Sequence, residues 1–411
     1  MSRILLLCPE PLSHGQPAGV GIRFIEFSRA LLADGHSVTI LSADGGAVEG
    51  CSAAATSPQS IRDASLASDV AVLQGHVANE FVAHAAAIPL VVDLYDPWIV
   101  ENLHYFEERG AQVFLHDHAT LLRSLRHGDF FLCASEAQRF FYLGMLAAVG
   151  RLNPVAYADD ASASKLLAVA PFGVPPQRTP PPRNLESPAL LFGGIYDWYD
   201  PIIAIEAVAQ ARARIPGLTL SFNRHPNASI TPQSKAAAAE RHVVTNGYTS
   251  FVRFEDWTPY GERAAFFDRF SAAILTFPRT LETDLAMRTR ILDYLWAGLP
   301  VITSPGRGTD EIIAKHGAGM VVESDEPAAF AGAIVEILSD PARLASMVAG
   351  ASSFARENQW SKVSAPLLEF CRDPRIDPAK GAFSTLGPSA AEATSPERLM
   401  ERLRRRFGGK S

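Results

Sequence analysis

Short apolar runs alternate along the chain with segments whose apolar residues recur at helical spacing. Residues 3–8 form the first run, and a loop rich in glycine and proline follows at 9–21. Ile22, Phe24, Ile25, Phe27, Ala30 and Leu31 then mark a helix over 22–34 that closes at Gly35, and 37–42 reads as the next strand. Strand, glycine loop, helix and strand make a βαβ unit, which implies a parallel sheet. Runs at 69–73, 89–93 and 130–133 continue the series. Residues 171–188 interrupt it, because their clustered prolines suit neither a helix nor a central strand. Beyond them the rhythm restarts, with strands at 189–192, 219–223, 252–254, 272–276, 301–303 and 319–322. Helices are expected at 201–214, 234–240, 288–298, 327–338 and 341–357.

The pattern predicts an α/β protein with two doubly wound domains, 1–170 and 189–355, joined by an extended linker, 171–188. Helix 356–371 is expected to pack back on the first domain, and 372–411 to be a flexible tail ending in a basic helix. Ligands of such sheets bind at the carboxyl ends of the strands, so the interdomain cleft is where chemistry is expected.

A chain of 411 residues is long enough for two such domains. Its net charge of -7 argues against a general nucleic-acid binder. Cys8, Cys51, Cys133 and Cys371 lie far apart without a CxxC pair, which indicates neither zinc nor a disulfide framework and fits a reducing cytoplasm. No apolar run approaches the roughly 20 residues of a membrane helix, and the N-terminal run is too short for a signal peptide. Arg398, Arg402, Arg404, Arg405 and Arg406 crowd the last helix, 396–407. They read either as a solvated helix end or as an anchor for anionic lipid, a peripheral contact with the inner face of the membrane.

Residues 288–304, RTRILDYLWAGLPVITS, carry the clearest chemistry. Free amides at a helix start attract anions, and Arg288, Thr289 and Arg290 stand at that start. A diphosphate there, with Asp293 accepting from ribose hydroxyls, accounts for both charges; a plain Arg290–Asp293 surface pair is the alternative. In LVVDLYDPWIVEN, 90–102, Asp93 or Asp96 either caps the turn before Pro97 or leaves Asp96 and Glu101 to orient sugar or acceptor hydroxyls. His116 and His118, two apart on a helix, point in different directions and have no third partner, so no metal is expected. His118 reads as an acceptor-side contact or as a satisfied structural histidine. Trp198 and Tyr199 either stack on the donor or pack beneath their loop.

LDYLWAGLPVITSPGRGTDEII resembles the segment of retaining family 4 glycosyltransferases that reads roughly LLEAMACGLPVIATDVGGNPEII. The glycine loop PAGVGIRFIEFSRALLADGHSVTILS and the helix WSKVSAPLLEF are also similar to that family, so the resemblance spans most of 1–371. It implies the GT-B fold, two facing Rossmann-like domains, and sugar transfer from a nucleoside diphosphate with retention and without a required metal or cofactor. It puts Asp293 in place of the glutamate that holds the ribose, and Gly19 and Gly21 in the loop that approaches the donor phosphates. Two departures matter. Leu285 stands where the family has its other glutamate, with Glu282 and Asp284 the nearest acids, and GGIYDWYDP at 193–201 lacks the family's Arg and Lys. Arg224 and His225 in FNRHPN, with Arg288 and Arg290, are therefore the candidates to meet the diphosphate charge.

The expected catalytic set is Asp96, Glu282 and Arg290. The donor set is Gly19, Gly21, Trp198, Arg224, His225, Arg288, Thr289, Arg290 and Asp293, with Glu101 and His118 on the acceptor side. The expected partners are a nucleotide-sugar donor and a glycan, lipid-linked or small-molecule acceptor, in bacterial surface polysaccharide or glycoconjugate synthesis. A nucleotide-sugar 2-epimerase or a non-catalytic sugar-nucleotide-binding subunit are the alternatives.

Overall fold

The apolar runs pair side by side in two wholly parallel sheets. The structure, a computed structural model, describes residues 1–13, 19–224 and 233–382. The N-terminal sheet holds β1 (Arg3–Leu7), β2 (Ser37–Ser42), β3 (Ser52–Ala55), β4 (Val70–Leu73), β5 (Leu90–Asp93), β6 (Phe130–Cys133) and β7 (Leu167–Val169), in the order β3-β2-β1-β4-β5-β6-β7. The C-terminal sheet holds β8 (Ala189–Gly194), β9 (Thr219–Asn223), β10 (Val252–Glu255), β11 (Ala272–Leu275), β12 (Val301–Thr303) and β13 (Gly319–Val321), in the order β10-β9-β8-β11-β12-β13. Both orders reverse beside the first strand of their sheet, which opens a crevice at the carboxyl ends. Helices cover both faces, so β4, β5 and β6 are buried throughout and read as unbroken apolar runs.

Two strands lie outside the hydrophobic pattern. β3 is an exposed edge of Ser and Ala and leaves no apolar signature, whereas β7 lies in a short apolar run just before the linker that the strand series did not include.

Gly193 and Gly194 end β8 and set the position of the helix Thr289–Trp296. At Gly193, φ is +86°, and a Cβ there would lie 2.3 Å from the Tyr294 hydroxyl; one on Gly194 would lie 3.0 Å from Arg290 Nη2. The helix therefore crosses the strand end at backbone distance, and Tyr294 donates to the Phe192 carbonyl at 2.9 Å. Ile291, Leu292 and Leu295 on its inner face join the core.

The linker 171–188 runs against the C-terminal lobe: Trp296 Nε1 donates to the Pro176 carbonyl at 3.0 Å, and Arg183 donates to the Ala297 carbonyl. The chain then returns to the N-terminal lobe. Trp360 packs on Phe172 and Phe27, Phe370 stacks on Phe130 at 4.8 Å, and Ser2 Oγ donates to the Cys371 carbonyl. The tail expected to be flexible from 372 is instead bonded to the N-terminal lobe through 382. Asp377 pairs with Arg151 at 2.6 Å and Lys380 with the buried Asp129 at 2.5 Å, charge partners that its Pro- and Ala-rich composition hides. The basic helix at 396–407 lies outside the described residues. Among the described residues, no helix is long and apolar enough to cross a membrane.

Candidate active site

The loop after β5 and the helix start after β11 meet across the cleft. The short helix Leu281–Leu285 of the C-terminal lobe packs against Trp98–Glu101 of the N-terminal lobe. Gln138, fully buried, fastens the two: its Nε2 donates to the Tyr95 carbonyl at 2.8 Å and across the lobes to the Leu285 carbonyl at 2.9 Å. Leu285, at the family's missing glutamate position, thus contributes its backbone.

Four charged groups gather at this contact. Arg288 pairs with Glu282 at 2.6 Å, both at most 5% exposed. Asp96 and Glu101 face them and are hydrogen-bonded to each other. Two ionised carboxylates cannot bond in this way, so one holds a proton. Burial, then the neighbouring Asp96 charge, lifts Glu101 well above the usual carboxyl range, while burial lifts Asp96 to about 6. Glu101 is therefore the proton holder and Asp96 the acceptor.

This arrangement has a stability cost with a definite sign. The folded chain holds the Asp96 proton more tightly than the unfolded chain does. The contribution of this group is most favourable below the unfolded value of 3.8 and declines until about pH 6, then stays level. Asp96→Asn is expected to raise stability by about 1–3 kcal/mol at pH 7.5 and by little at pH 4. Thermal unfolding at both pH values reads this out; no gain at pH 7.5 removes the strained carboxyl pair.

The cations are disposed differently from the sequence expectation. Arg288 holds the cap position of the helix Thr289–Trp296, and its side chain makes no cap bond there. Its guanidinium lies over Phe277 and Tyr199, 5.0 and 5.5 Å from the ring centroids, and is already matched by Glu282. As a phosphate cation it is thus neutralised from within. Among the described residues Arg290 makes no ion pair: Nη1 donates to the Gly194 carbonyl, and the guanidinium sits 4.4 Å from the Tyr196 ring centroid and hydrogen-bonds Tyr196. Its Nη2 is buried without a bonded partner. Trp198 stacks on Tyr196 at 4.7 Å with 3° between the planes, so one face of that indole is taken by its own loop. The stack Trp198–Tyr196–Arg290 aims the arginine.

Asp293 bonds Arg263 at 3.4 Å instead of Arg290, and burial raises its carboxyl above the ordinary value. It remains about a third exposed at the cleft side of the helix. Arg224 is drawn away from the donor position: it is exposed, paired with Glu240 at 3.1 Å and donating to the Phe254 carbonyl. His225 lies outside the described residues. Gly21 N–H donates to Glu10 Oε2 at 2.9 Å, so an internal carboxylate holds the amide expected to face donor phosphates. Gly19 serves a close approach, since a Cβ there would lie 2.8 Å from the Tyr95 hydroxyl.

On the N-terminal lobe, Asp93 is not a turn cap. It forms a bidentate pair with Arg23 at 2.6 and 3.0 Å, both side chains fully buried. His118 stands exposed on the outer face of its helix, stacked on Phe114, and does not reach the carboxyl pair. His116, also exposed, stacks at 5.0 Å on His76, which lies 3.0 Å from Asp117 and 5.1 Å from Trp98. Burial holds the His76 imidazole below its ordinary range. His76 follows β4 after Gln74 and Gly75, close to a strand end that the pattern of runs already marked.

Residues 193–340, from the end of β8 through the helix of Arg288 and Arg290, match the family model for glycosyl transferases, group 1. That stretch of the C-terminal lobe is similar to the group 1 glycosyltransferases. The fold of the chain is GT-B. The structure of Anabaena HepE in complex with UDP and glucose aligns with a TM-score of 0.61 and 13% identity, over 91% of this chain and all of that one. WaaG, a glycosyltransferase involved in lipopolysaccharide biosynthesis, aligns with a TM-score of 0.58 and 13% identity, over 90% of this chain and all of its own. A D-inositol 3-phosphate glycosyltransferase of Thermobispora bispora is 30% identical over 123 residues, 30% of this chain and 28% of that enzyme. The chain thus matches little more than a quarter of that relative's length. Set against that likeness, the departures lie at the cations: an aromatic loop and Arg290 stand where the resembled family carries an Arg and Lys pair.

Proposed function

We propose that the chain transfers a sugar from a nucleoside-diphosphate donor to an acceptor hydroxyl with retention of anomeric configuration. The observation that carries this reading is Arg290, half-buried in the first turn of a helix whose cap residue makes no side-chain bond, with its guanidinium Nη2 buried and unbonded. The HepE complexes with UDP and with UDP-glucose support a donor of this kind. As the donor bond breaks, negative charge grows on the leaving diphosphate. The helix-start amides and Arg290 meet it in a site shielded from water, where such donors lower the barrier most. Arg288, already balanced by Glu282, orients the sugar side instead. Asp96 accepts from the incoming hydroxyl and so aligns it, and the leaving phosphate oxygen takes its proton. No metal or cofactor is assigned a part. The family and the spread cysteines favour a cytoplasmic role in assembling bacterial surface polysaccharide or glycoconjugate.

The test combines thermal shift with product analysis, using UDP-glucose, UDP-N-acetylglucosamine, ADP-glucose and GDP-mannose without acceptor. At a hundred times its dissociation constant, a true donor adds about 2.7 kcal/mol of apparent stability, and it releases nucleoside diphosphate slowly. Binding without release marks a non-catalytic subunit, and a 2-epimerised sugar marks an epimerase. Absence of both binding and release defeats the reading.

A further inference from the structure

The cluster at the lobe contact is more acidic than its one cation, Arg288, can balance. Asp96, Glu101 and Glu282 share it with Arg288, and the proton on Glu101 still leaves two carboxylates against one guanidinium. Two of these groups are also only half satisfied. Glu282 Oε1 and Arg288 Nε are both buried without a bonded partner, on side chains 3% and 5% exposed. A buried carboxylate oxygen left unpaired costs its full desolvation, so a ligand that brings hydroxyl donors gains by filling it.

We propose that this cluster receives the sugar of the donor and admits neutral, hydroxyl-rich hexoses while excluding sugars that carry a carboxylate. The inference rests on the proposed donor site at Arg290 and adds the class of sugar. A hexose hydroxyl donates to Glu282 Oε1 and accepts from Arg288 Nε. A uronate in the same place sets a third negative charge beside two carboxylates, in surroundings where such repulsion is weakly screened.

The experiment measures binding of matched ligands to the full chain by calorimetry: UDP, UDP-glucose and UDP-glucuronate, then GDP, GDP-mannose and GDP-mannuronate. The neutral sugar nucleotide is expected to bind at least about tenfold tighter than its uronate. Glu282→Gln and Asp96→Asn should each narrow that gap between neutral and uronate ligands, and either variant suffices if the other does not fold. Equal or tighter binding of the uronate overturns the proposal. So does a sugar nucleotide no tighter than its diphosphate, which means that water alone fills the gap; the nucleotide site at Arg290 then still stands. Failure of every nucleotide to bind overturns both.

Discussion

Arg23→Ala is expected to cost the N-terminal lobe about 3–5 kcal/mol, because it strands a fully buried carboxylate. Arg23 meets Asp93 through two bonds and also donates to the carbonyls of Ala170 and Pro171, at 2.8 and 2.9 Å. Its guanidinium lies 4.5 and 4.9 Å from the ring centroids of Phe27 and Tyr95. One side chain therefore joins the first helix, the end of β5 and the point where the chain leaves the domain. Without it, Asp93 has no charge partner at a site closed to water, and two carbonyls lose their donor. The double change Arg23→Met with Asp93→Leu should recover most of the loss, since an apolar pair of similar volume avoids desolvating two charges. Guanidinium denaturation followed by far-UV circular dichroism checks both variants. A loss below about 1 kcal/mol in Arg23→Ala would show that water reaches the pair. Transfer activity should fall along with stability, because Asp93 leads directly into the loop of Asp96 and Glu101.

The fold was legible because parallel strands covered on both faces must be apolar throughout, and such runs stand out in a sequence. β3 escaped because an exposed edge of Ser and Ala buries nothing. The helix of Arg288 and Arg290 could be read as a candidate anion site from charge and position alone. Which arginine meets a carboxylate was not, because Glu282 lies six residues before Arg288 and reaches it only through the turn between two helices. Glu240 captures Arg224 from sixteen positions away, and Glu10 takes the Gly21 amide, distances at which spacing has no predictive value. The aromatic loop 196–199 was visible as a candidate, yet its role under Arg290 depends on two glycines that bring helix and strand together. Asp96 and Glu101 were read as separate candidates. Their shared proton follows only from burial, which no local pattern records.

Arg290→Ala should produce the largest functional loss, a fall in kcat of about a hundred- to a thousandfold, the usual effect of deleting one donor to developing charge. Binding should separate the role from a structural one. Affinity for UDP or GDP should drop well beyond that for uridine or guanosine, since only the diphosphate meets Nη2. The fold should lose about 1–2 kcal/mol, from the bond to the Gly194 carbonyl and the stacking on Tyr196. Arg290→Lys sharpens the comparison. An ammonium keeps the charge but cannot hold the Gly194 carbonyl and a phosphate oxygen in one planar fork, so it should restore part of the affinity and little of kcat. Equal losses for nucleoside and nucleoside diphosphate would assign Arg290 to the packing of β8 against its helix. The donor charge would then fall to the helix-start amides and to Arg288, whose guanidinium Glu282 already balances, and transfer at this cleft would lack its principal cation.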